Sequence, residues 1–139
     1  MSMIITDIKQ IDRIAEETFG KIKSVVSLDM RDYAFVKEHS ETLKAIKFEV
    51  SALTKDVIPL LDKVIIEAGK ENVANALLYI KGNGSDAGIQ TITVEQFNMF
   101  SEAFNKHLED ASIIWGMGDG NDNSENISIL IIFGYGKRE

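Results

Sequence analysis

The apolar residues of this chain change period as one reads along it, and the order of the changes restricts the fold more than any other feature. Between Thr42 and Ala52, Ile46, Phe48 and Val50 alternate with Lys47 and Glu49, the spacing of a strand with one wet face. From about Thr54 to Lys70, Val57, Ile58, Leu61, Val64, Ile65 and Ala68 form a helical stripe that Gly69 can stop; Pro59 belongs in a first helical turn, so the helix is expected to begin near Ile58. The run Ala76 to Lys81 is a buried strand entering a Gly82-Asn83-Gly84 turn. Thr93 and Gln96 form a capping-box pair ahead of Val94, Phe97, Phe100, Ala103, Phe104 and Leu108, the clearest helix of the chain. Ser112 to Gly116 and Ile127 to Phe133 are strands, and the polar stretch Gly118 to Asn126 between them reads as a hairpin loop.

The order is therefore β-α-β-α-β-β. Each strand-helix-strand step favours a parallel pair, and the last two strands are expected to pair antiparallel. The fold class that follows is α+β: a four-stranded mixed sheet with two helices on one face, preceded by N-terminal helices that must cover something else. Of those, residues 6 to 22 carry Ile8, Ile11, Ile14, Ala15, Phe19 and Ile22 at helical spacing. After a short apolar step at Val25 and Val26, Asp29 is placed to cap a second short helix running toward Glu38.

With 139 residues, the length suits one domain, 1–139. Twenty-two acidic residues against 15 basic give a formal charge of −7, which disfavours nucleic acid as a partner. The absence of cysteine excludes disulfides, thiol catalysis and cysteine-ligated metal. No apolar run approaches the ~20 residues of a membrane helix and no export signal is visible, so a soluble, cytoplasmic protein with no membrane partner is expected.

Chemistry-bearing motifs are few. Gly82 to Gly88 lacks both the dinucleotide spacing and the Gly-Lys-Ser/Thr ending of a phosphate loop, and reads as a connection. Asp119 to Glu125 is rich in oxygen ligands but has Ser124 and Leu130 where a calcium loop needs glycine and a bidentate acid. His39 and His107 lack triad or metal partners and are expected at the surface. Asp29 and Asp32 are the most informative pair: both suit a helix N-terminus, and two carboxylates in one exposed turn can also orient a water or meet a metal-bound nucleotide. No cofactor or metal is implied.

The stretches Ala76 to Gly82 (ALLYIKG), Asp110 to Gly116 (DASIIWG) and Ile127 to Tyr135 (ISILIIFGY), with the helix between the first two, resemble the C-terminal domain of the tubulin/FtsZ superfamily. Ser27-Leu28-Asp29-Met30-Arg31-Asp32 is similar to that family's Asn-x-Asp-x-x-Asp catalytic loop, with Ser27 where the family has asparagine; residues 6 to 22 correspond to the end of its central helix. The resemblance implies 1–40 as the central-helix end and loop, 41–139 as the α+β domain, and Asp29 and Asp32 as carried-over loop acids. The family's GTP-binding domain, with its Gly-Gly-Gly-Thr-Gly-Thr-Gly loop, has no counterpart here, so no GTP-binding motif is present.

The function so implied is a non-catalytic interaction and assembly module, self-associating or binding a tubulin/FtsZ-like GTPase, with cell division as the family's setting. A different class stays open: a small-molecule-binding protein or enzyme using clefts between subunits, as small α+β sheets with a bare face assemble. A chain that is one piece of a longer GTPase is a third reading. Because the family's central helix lies between two domains, the stripe Ile8, Ile11, Ile14, Phe19 and Ile22 must either fold across the open sheet face or pair with another chain, and the expectation is the second: a homo-oligomer, most simply a twofold dimer, with this helix in the interface.

Overall fold

The computed structural model describes residues 3–19, 24–26, 30–51, 57–69, 71–82, 94–108, 110–119 and 126–136. In chain order the elements are β1 (Met3–Ile5), α1 (Ile8–Phe19), β2 (Ser24–Val26), α2 (Met30–Glu38), β3 (Thr42–Ser51), α3 (Val57–Ala68), β4 (Val73–Gly82), α4 (Val94–His107), β5 (Ser112–Asp119) and β6 (Asn126–Tyr135). The α+β class and the β-α-β-α-β-β core stand as read from the sequence. Among the described residues the sheet has six strands, not four, in the order β1-β3-β6-β4-β5-β2. β1 and β2 add the extra edges, pairing antiparallel with β3 and β5.

Two expected pairings are overturned, the first being the parallel pair of β3 and β4 across α3, which β6 holds apart. β5 and β6 are not neighbours: β6 lies between β3 and β4, antiparallel to both, while β4 and β5 pair in parallel. The connection after Asp119 is thus no hairpin, and its residues 120–125 lie outside the described ones. The physical reason is burial. Ile129, Leu130, Ile131, Ile132 and Phe133 are all buried, so β6 needs cover on both faces and a partner on both edges, which a central position supplies.

The two faces are covered separately. Leu61, Val64, Ile65 and Ala68 of α3, with Ala103 and Phe104 of α4 and the following Leu108, pack on Ile46, Phe48, Ala76, Leu78, Ile80, Ile129, Ile131 and Phe133. Phe104 is fully buried, edge-on to Trp115 at 5.3 Å and stacked near Phe133 at 6.1 Å. Ile11, Ala15 and Phe19 of α1, with Tyr33 and Val36 of α2, cover Leu43, Ala45, Leu77, Tyr79, Leu130 and Ile132 on the opposite face. The result is a three-layer helix-sheet-helix arrangement. Two helices do share one face, and the N-terminal helices take the other.

Helix ends follow local chemistry. Pro59 occupies the first turn of α3, where its missing N–H costs nothing. Gly69 stops that helix at φ 88°, its amide bonded to the Ile65 carbonyl at 3.1 Å. The Ala68 carbonyl accepts from both Lys44 Nζ at 2.7 Å and Tyr135 Oη at 3.0 Å, and the Lys44 ammonium lies 4.8 Å from the Tyr135 ring centre. A cation and a hydroxyl thus satisfy the negative end of α3 from two strands of the sheet.

Candidate functional site

Of the residues singled out by sequence, Ile8, Ile11, Ile14, Phe19 and Asp32 lie on α1 and α2. Asp29 and Ile22 lie outside the described residues, as do most of Gly82 to Gly88 and of Asp119 to Glu125. Asp32 sits half-buried in the first turn of α2, where a carboxylate meets the positive helix end. Ile11 is fully buried and Phe19 nearly so, its ring edge-on to Tyr79 at 5.5 Å; Ile14 is half-buried and Ile8 is 41% exposed. At Ile11 and Phe19 the stripe therefore has its cover in the chain's own sheet, where the sequence alone leads one to expect a second chain; Ile8 keeps an exposed side. The outward side of α1 carries Lys9, Arg13, Glu16 and Glu17, all exposed.

α2 is short and buries only Tyr33 and Val36, so polar contacts position it. From the middle of α2 the Tyr33 hydroxyl donates to Asp12 Oδ1 of α1, and from its last turn Lys37 Nζ pairs with both oxygens of the same carboxylate at 3.0 and 3.2 Å. The Tyr33 hydrogen bond, with a smaller contribution from Lys37, holds the Asp12 carboxyl below its ordinary range. Burial, reinforced by Asp12, pushes the Tyr33 hydroxyl well above the usual phenol range, so it stays a donor.

Just beyond the C-terminus of α2, Asn75 Nδ2 donates to the His39 carbonyl at 3.1 Å and to Ser40 Oγ at 3.3 Å. Ser40 rests directly on Gly134, where a Cβ would stand 1.9 Å from its Oγ and 3.3 Å from Val36 Cγ1. The backbone of β6 can meet α2 this closely only because residue 134 has no side chain. None of Asp12, Tyr33, Ser40, Asn75 or Gly134 stands out in the sequence as a functional residue. The available signals were Tyr33 and Lys37 one turn apart, and a glycine interrupting the apolar run of β6.

Of the two histidines, His39 is exposed, with its ring stacked on Phe35 at 4.1 Å. His107 departs from the surface expectation. Its side chain is only 12% exposed, and Nε2 lies 2.7 Å from Asp62 Oδ1, tying α4 to α3. The sequence separation of 45 residues hid that partner. Among the described residues no group of three or more His, Cys, Asp or Glu is arranged to hold a metal ion. Nor is any helix among them long and apolar enough to cross a membrane.

Two of the open clefts among the described residues lie near the end of α2. One, of about 590 Å³, runs between the start of α1 and the start of β3, lined by Thr6, Ile8, Lys37, Ser40, Glu41 and Lys44 among others. The other, of about 430 Å³, lies beyond the sheet ends, between Glu41, Asn72, Asp110 and Tyr135. Both are shallow and of mixed polarity, without the enclosed apolar walls of a small-molecule pocket.

No protein-family model matches the chain, and no curated protein does. Solved structures do. A helical model of the four-stranded TubZ-Bt filament matches at TM-score 0.58 and 15% identity, covering 97% of this chain and 42% of that one. The GDP-form protofilament of TubZ from Bacillus thuringiensis serovar israelensis matches at TM-score 0.57 and 15% identity, covering 94% of this chain and 40% of that one. The fold is tubulin-like. The chain spans about two-fifths of the length of the TubZ chains it superposes on. At 15% identity the likeness is one of backbone architecture, and it extends over α1 and α2 as well as the sheet because it takes in nearly the whole chain.

Proposed function

We propose that this chain is a protein-interaction and assembly module, one domain over 1–139, that self-associates or joins a tubulin/FtsZ-like GTPase and does not itself hydrolyse nucleotide. The observation that carries the reading is the near-complete superposition on TubZ chains solved as a filament and as protofilaments, over two-fifths of their length. The helix-covered faces of the sheet support it further, since both cores close without a second domain. Of Asp29 and Asp32, by resemblance the acids of the family's loop, Asp32 stands in the first turn of α2, and both are proposed as contact residues toward a partner. Their role as helix-capping groups accounts for their identity equally well in the isolated chain.

A nucleotide site needs an amide-rich cradle for phosphates, and the sequence offers no glycine loop with the necessary lysine or metal-binding hydroxyl. The expected result of titration calorimetry is therefore no stoichiometric binding of GTP. The interaction itself is tested by pelleting a polymerising tubulin-like GTPase such as TubZ with and without this chain, alongside light scattering of the chain alone. The reading predicts co-pelleting or an increase of mass with concentration. Neither, combined with micromolar GTP binding, would overturn it.

A further inference from the structure

α2 turns Tyr33 and Val36 to the sheet, so its outward line is Arg31, Phe35 and Glu38, at i, i+4 and i+7 on one side. All three are exposed, and Phe35 keeps 42% of its surface in water. The His39 ring is stacked against it, and His39 Nδ1 is 2.8 Å from the Phe35 carbonyl oxygen. Two ordered rings thus form an aromatic plate on a helix whose other outward residues are charged. Ile66 and Met99 are more exposed, at 62% and 50%, but among the described residues each is the one exposed large apolar side chain on its helix, α3 or α4, and isolated apolar residues of that sort need no explanation.

Phe35 differs in its flanks. A cation lies one turn toward the N-terminus and an anion one turn toward the C-terminus, in line with the ring. Such an array is self-complementary about a twofold axis through the aromatic plate. An antiparallel copy brings Arg31 opposite Glu38 and Glu38 opposite Arg31, with the rings meeting between them. A parallel copy would set like charges against each other. Arg31 has a contact within its own chain; its guanidinium carries five donors, so that contact and one across the axis are compatible. The stacked rings also lose little freedom on docking, which lowers the cost of association.

We propose that this chain pairs with a second copy of itself through antiparallel α2 helices, Phe35 on Phe35 at the axis and Arg31 to Glu38 on either side. The proposal names the surface for the self-associating form of the assembly reading and rests on it. One nine-residue helix per copy covers less than the ~1,200 Å² of a standard interface, so the pairing is weak and weakens further in salt.

Sedimentation velocity at high micromolar concentration and low salt tests it, with circular dichroism to confirm folding of each variant. Phe35→Ala, Arg31→Glu and Glu38→Arg should each weaken dimerisation at least tenfold, whereas the double reversal Arg31→Glu with Glu38→Arg should restore it. Ile66→Asp should leave it unchanged. Self-association that persists in all three single variants would overturn the α2 pairing while leaving the assembly reading intact. A wild-type chain that stays monomeric throughout would remove self-association by any surface.

Discussion

Gly134 shows how a single missing side chain places a helix. Its neighbour across the layer, Ser40, is buried and stands where a Cβ would come within 1.9 Å of the hydroxyl. Gly134→Ala should cost about 1–3 kcal/mol in urea melts, because Ser40, Val36 and the end of α2 must all move. Gly69→Ala is the useful contrast. A Cβ there meets nothing closer than Lys44 Nζ at 4.0 Å, so the expected loss, about 1–2 kcal/mol, comes only from the left-handed backbone. Asp12 gives a pH-dependent prediction. Its folded carboxyl is held below the unfolded value, so its contribution is fully present above about pH 4 and is lost as pH falls through the folded value. The side chain is 40% exposed and well screened, so Asp12→Asn should lower stability at pH 7 by no more than about 1 kcal/mol. Chemical melts across acid pH should show the gap between wild type and variant closing below about pH 4.

At the scale of elements, helices and long strands were legible because their periods run over several turns or pairs. α4 is the case in point: the stripe through Ala103, Phe104 and Leu108 is the one that packs under α3 and on β6. Phe104→Ala should therefore lose about 3–5 kcal/mol, read from denaturant midpoints at constant slope. β1 and β2 were not legible as strands, since three residues each carry too little alternation to show a period. The position of β6 was half legible. Its five consecutive buried residues called for a two-sided environment, but chain order drew the pairing toward β5, the strand before it. Periodicity reports what an element is and which faces it buries; it does not report its neighbours. The polar fastening of α2 was not legible either, because Asn75 meets Ser40 across 35 residues and Tyr33 meets Asp12 across 21.

For the molecule as a whole, the consequence is a sheet closed on both faces. The stripe of α1, which the sequence left uncovered, is accounted for at Ile11, Ala15 and Phe19 by β-strand residues of the same chain. Ile11→Asp should thus lower stability by several kcal/mol, since it places an unpaired charge in the core, without altering the mass of whatever assembly the chain forms. Any surface for the proposed assembly must then come from residues that still face water. The most direct test of the assembly account is light scattering of the wild-type chain over a concentration series, with and without GTP. Mass that rises with concentration and is indifferent to GTP is the predicted outcome. A chain that binds GTP and associates only in its presence would contradict the account.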